Sequence, residues 1–140
     1  LTVLQQEFYK KLKKITKKET SINELLGLGI GLTPTGDDFI VGYLSAVEAN
    51  LVEDKLNIKK EINIKPVFNK TTRVSALHLK GAYNHRFNEK LVKIYKNLAD
   101  GKEQYIKYAK QLIKVGNSSG LDMLSGLYCG LVMQKYNKKH

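Results

Sequence analysis

Tryptophan is missing from this 140-residue chain, cysteine occurs once, proline twice, and arginine only at positions 73 and 86. One cysteine excludes an internal disulfide and suits a reducing cytoplasm, the compartment expected here. Cys129 lies inside an apolar helical pattern and reads as a buried structural thiol. No N-terminal apolar segment resembles a signal peptide. The longest apolar run, around Leu121 to Met133, is too short and too glycine-rich to span a bilayer, so no membrane partner is expected. The chain opens on Leu1 rather than Met, as a processed piece of a longer protein would.

Positive charge is abundant, +11 overall, but it is unevenly spread. Between Lys18 and Lys55 there is no lysine or arginine, and between Lys114 and Lys135 the sole charge is Asp122. The surplus is nearly all lysine, and two arginines supply few of the bidentate forks that phosphate and base recognition favour. No nucleic-acid partner is therefore expected. His78 and His85 stand seven apart without a second metal-type ligand in register, which speaks against zinc.

Nine of the eleven glycines fall in two segments. The first, Gly27 to Ala46, reads GLGIGLTPTGDDFIVGYLSA, a glycine-rich loop feeding a helix behind two aspartates. Glycines let a backbone approach a ligand closely, and the first turn of a helix presents unpaired N–H groups. Eighty-four positions later, Ser119, Gly120, Asp122, Gly126 and Gly130 repeat the order of Thr35, Gly36, Asp38, Gly42 and Ala46. The two segments read as a pseudo-repeat, an internal duplication. Glycine inside a helix costs about 1 kcal/mol relative to alanine, so Gly42 and Gly126 predict two helices whose backbones touch. Their N-termini would then converge on one bipartite pocket.

Leu4, Phe8, Leu12 and Ile15 predict an amphipathic basic helix at the start of the chain. Ser21 with Glu24, and Thr35 with Asp38, match capping boxes. By that spacing Asp38 has a structural role, while Asp37, which no cap demands, is the stronger functional candidate. Leu51 to Phe68 predicts a short extended or irregular connection, stopped by Pro66. Helices follow over Asn69 to Tyr83, from Asn88 to the stop at Asp100 and Gly101, and from Tyr105 to Gly116. The expected fold is all-α, a single compact domain of about six or seven helices spanning residues 1–140.

With GLGIGLTPTGDDF, TTRVS and GNSSGLDMLSG in place, the chain resembles a bacterial family, formerly a domain of unknown function, that includes the AllH-type subunit of oxamate carbamoyltransferase. The family pattern is GLGPGLTPSGDDF, a central TT-x-x-S helix start and a late GHSSG-x-D-x-x-x-G. Ile30 stands for a usual proline, Thr35 for serine and Asn117 for histidine. The resemblance covers roughly Leu25 to Val132 and implies the C-terminal part of a longer family chain. It implies participation in carbamoyl transfer between oxamate and phosphate, in allantoin-type purine nitrogen catabolism, beside other carbamoyltransferase subunits.

On this reading Asp37 and Asp38 are candidate catalytic residues. Gly29, Gly31, Thr33, Thr35, Gly36, Thr71, Thr72, Arg73, Asn117, Ser118, Ser119, Gly120 and Asp122 are candidate ligand-binding residues. Backbone N–H groups from Leu32 to Gly36 and from Asn117 to Gly120 would hold a small anionic substrate. Asp37 is the candidate ligand for Mg²⁺, the one candidate cofactor. A homo-oligomer, a non-catalytic module for a small anion or metal-bound ligand, and a helical scaffold for partner subunits are the competing readings.

Overall fold

The computed structural model describes residues 2–62 and 69–139. Among them there is no strand, and six helices of nine or more residues build the molecule. These are α1 (Val3–Thr16), α2 (Thr35–Glu48), α4 (Arg73–Tyr83), α5 (Glu89–Ala99), α6 (Tyr105–Ile113) and α7 (Ser119–Lys139). A 3₁₀ turn (Ile22–Leu25) and a single-turn helix α3 (Ile58–Glu61) complete the order. No helix among the described residues is long and apolar enough to cross a membrane.

Helix α2 is the axis of the fold: every residue from Gly36 to Ala46 is buried. It packs most extensively on α7, with α4 and α5 on its other faces. The α2–α7 crossing depends on two glycines. A Cβ added at Gly42 would lie 1.8 Å from the Met123 carbonyl oxygen, and one at Gly126 would lie 1.9 Å from that of Phe39. Such distances are far inside van der Waals contact, so backbone meets backbone at both points. The expected close approach of the two helices is observed.

The remaining helices follow from local signals. Thr2 and Gln5 form a reciprocal capping box for α1, whose stripe buries Phe8 and Ile15; the Phe8 ring meets Phe39 edge-on at 5.1 Å. Asn88 caps α5 through Lys90 N–H, and Gly101 (φ 68) follows its end at Asp100. Thr72 caps α4 by accepting from Ser75 N–H at 3.1 Å. His85 Nδ1 lies 2.5 Å from Glu48 Oε2, joining the end of α4 to the end of α2.

Two expectations are corrected and a third is narrowed. Pro34, not Thr35, is the N-cap of α2, and no side-chain cap hydrogen bond forms there; Thr35 is already helical. Ser21 does cap its turn, accepting from Asn23 N–H, but Glu24 turns outward to Lys11 at 3.2 Å, so that capping box is also not closed. The connection after Leu51 is irregular and then helical at α3, with no extended pairing as far as Ile62. Ile64, Pro66, Val67 and Phe68 lie outside the described residues.

Candidate functional site

The loop before α2 is held against its own helix. Gly29 and Gly31 take positive φ (128 and 89), and the Gly36 N–H donates to Leu28 carbonyl at 2.9 Å. The Pro34 carbonyl accepts from Asp37 and Asp38 N–H at 3.1 and 3.2 Å. At the start of α7, Gly120 N–H donates to Val115 carbonyl at 3.1 Å. The amides of Gly36 and Gly120, expected among the anion-holding donors, are therefore already spent on backbone carbonyls. Both glycines serve packing instead: a Cβ at Gly36 would meet Leu25 carbonyl oxygen at 1.8 Å, and one at Gly120 would meet that of Leu112 at 1.7 Å.

The neighbouring aspartates have different surroundings. Asp37 is 1% exposed, and both its oxygens are occupied. Gly27 N–H donates to Oδ1 at 2.9 Å, and the hydroxyls of Thr71 and Ser75 donate to Oδ2, the latter at 2.5 Å. The Thr72 hydroxyl reaches across to the Leu32 carbonyl. Asp37 thus ties the glycine loop to the start of α4, which reverses the ranking of the two aspartates drawn from cap spacing. This donor set does not fit Mg²⁺, which would have to displace two hydroxyls. No group of three or more His, Cys, Asp or Glu side chains suited to a metal ion occurs among the described residues.

Asp38 is 2% exposed, yet its Oδ2 has no hydrogen-bond partner. Burial pushes its carboxyl up to about 6; the hydroxyls of Ser119 and Thr33 oppose this by hydrogen bonding, and the charges of Asp122 and Asp37 add to it. Asp122 on α7 is also raised by burial, against hydrogen bonds from Ser118 and Thr35, and its Oδ2 is likewise unpartnered. Each helix start therefore sets a hydroxyl near the other's carboxyl: Ser119 near Asp38, Thr35 near Asp122. The two starts lie side by side, with the Thr33 hydroxyl 3.4 Å from that of Ser119.

Asp38 and Asp122 line different cavities rather than one shared hollow. Asp38 and Ser119 line a cleft of about 330 Å³ with Val41, His78, Arg86 and Met123. Thr35, Ser118 and Asp122 line an apolar groove of about 720 Å³ against α1, with Phe8, Ile30 and Tyr128 at its walls. Thr71 and Thr72 serve the Asp37 tie and the α4 cap; Arg73 is exposed at the first residue of α4. Neither Arg73 nor Asn117 lines the cleft or the groove. Sequence reasoning left Ser75, the serine of TTRVS, open between a cap and a ligand role rather than a tie to Asp37, and gave no site role to Arg86, one of only two arginines.

A family model described as oxamate carbamoyltransferase subunit AllH matches residues 25–131, a span that includes both helix starts. No solved structure matches the chain.

Proposed function

The chain belongs to the AllH family, and on that premise we propose that it is a subunit of an enzyme moving a carbamoyl group between phosphate and oxamate in purine (allantoin) nitrogen catabolism. The observation that carries this reading is the family match across both helix starts. The side-by-side starts of α2 and α7, each with one carboxyl oxygen buried and unpartnered, support placing the reactants there.

The chemistry needs a proton manager. When the oxamate nitrogen takes the carbamoyl carbon, the carbon–oxygen bond to phosphate breaks, phosphate departs and one N–H proton must leave; in the reverse direction that proton returns to the nitrogen. A carboxyl titrating near 6 suits both directions, because a general acid–base works best with its pKa close to the working pH. Asp38 is assigned that role. The hydroxyls of Ser119 and Thr33 orient it, and Asp37 fixes the loop behind it. Exposed apolar side chains along the larger groove, among them Ile30, Leu121 and Tyr128, suit burial against another carbamoyltransferase subunit.

The test is phosphate release from carbamoyl phosphate by the assembly purified through a tag on this chain. Release that depends on oxamate and drops by at least about a hundredfold with Asp38→Asn is expected, the scale of one acid–base group. Release indifferent to oxamate, or unchanged by the substitution, contradicts the assignment.

A further inference from the structure

The cleft beneath Asp38 contains an unmet chemical demand. A carboxylate oxygen buried without a donor is costly, and buried polar atoms are normally paired. Asp38 Oδ2 is such an atom in a residue 2% exposed, and Asp38 lines the cleft. The complementary partner is an N–H or ammonium donor, not an anion. Val41, Leu77 and Met123 supply apolar wall around it.

The rim has the opposite character. Arg86 lines the same cleft and is exposed there, and His78 stands beside it. The Arg86 backbone is fixed, since its N–H donates to Gly81 carbonyl at 2.8 Å and its carbonyl oxygen would lie 3.5 Å from a Cβ at Gly81. A guanidinium offers a planar fork of donors that matches carboxylate or phosphate oxygens. At about 330 Å³ the cleft lies at the small end of ligand pockets, which run from roughly 300 to 1,000 Å³.

We propose that this cleft seats a small anion bearing a primary amide, with the amide N–H donating to Asp38 Oδ2 and the carboxylate or phosphate held at the rim by Arg86. The inference rests on the carbamoyltransfer reading and narrows it, because oxamate and carbamoyl phosphate share this layout of an amide next to an anionic group. Charge sets the orientation: the anionic end is repelled by Asp38 and drawn to Arg86, so the amide enters first. Arg86 becomes the residue that selects for the anion, and Asp38 the one that rejects ligands lacking N–H.

The unmodified full chain provides the first test, by titration calorimetry with oxamate against pyruvate and with carbamoyl phosphate against acetyl phosphate. Each pair differs by an amide nitrogen replaced with a methyl carbon. At least one amide-bearing anion is expected to bind, at least about tenfold tighter than its methyl counterpart, because the methyl leaves a buried acceptor unpaired. Arg86→Gln, an exposed position that does not threaten folding, should weaken that binding by about tenfold or more, as loss of a charged bidentate contact does. Equal binding within both pairs, indifference to Arg86→Gln, or no binding of either amide overturns the proposal. The phosphate-release assay separates the two readings. Oxamate-dependent release with an oxamate KM unmoved by Arg86→Gln sinks the cleft and spares the transferase reading, whereas amide-selective binding without release does the reverse.

Discussion

Replacing Asp38 by asparagine should stabilise the protein, and by an amount that grows with pH. The carboxyl sits 2% exposed on α2 and is raised from 3.8 to about 6, chiefly by burial. A raised acid means that the folded state holds the proton more tightly than the unfolded state does. Below 3.8 both states are protonated and the group costs nothing. Between 3.8 and 6 the unfolded chain releases its proton while the folded chain keeps it, so stability falls as pH rises, and it levels off above 6. A gap of about two pH units at about 1.4 kcal/mol each sets a ceiling of about 3 kcal/mol. Asparagine has nearly the same shape and no charge, and it also relieves Asp122 of a like-charged neighbour. Urea unfolding of the parent and Asp38→Asn at pH 4, 5, 6 and 7.5 reads the difference directly. The expected gain is near zero at pH 4 and at most about 3 kcal/mol at pH 7.5, with most of the change between. A difference that is flat with pH, or that shrinks as pH rises, refutes the argument that Asp38 is buried against its ionisation.

Other substitutions probe the frame around it. Gly126→Ala places a methyl 1.9 Å from the Phe39 carbonyl oxygen and must push α2 and α7 apart; a loss of about 3 kcal/mol or more in thermal unfolding is expected, at the upper end for overpacking. Gly101→Ala, with open space around its Cβ, should cost only about 1 kcal/mol for its positive φ. Ser75→Ala removes the 2.5 Å donor from buried Asp37 and should cost roughly 1–3 kcal/mol in denaturant unfolding. Burial pushes the Cys129 thiol up to about 11, so maleimide at pH 7 should label it far more slowly in the native protein than in urea.

Helix positions were readable from short-range signals. The Leu4–Phe8–Leu12–Ile15 stripe, the Asn88 cap and the glycines at 42 and 126 each act within a turn or at one contact, and each leads to the observed element. The roles of the two aspartates depend instead on distant partners. Asp37 is claimed by Thr71 and Ser75, which reach it from 34 and 38 residues away, and cap spacing carries no trace of that. The pairing of Ser119 with Asp38 and of Thr35 with Asp122 could be anticipated as proximity of the two helix starts. That the two aspartates then line separate cavities could not, because it depends on which face of the crossing each residue occupies. Arg86 carries no site signal in the sequence for the same reason: it lines the cleft from the loop after α4, and no local pattern marks it.

The most direct measurement is a crystal structure of the chain grown with oxamate. The account predicts the ligand in the cleft between α2, α4 and the start of α7, its nitrogen within hydrogen-bond distance of Asp38 Oδ2 and its carboxylate on Arg86. Oxamate seated in the groove beside Asp122, or with its carboxylate turned toward Asp38, contradicts it.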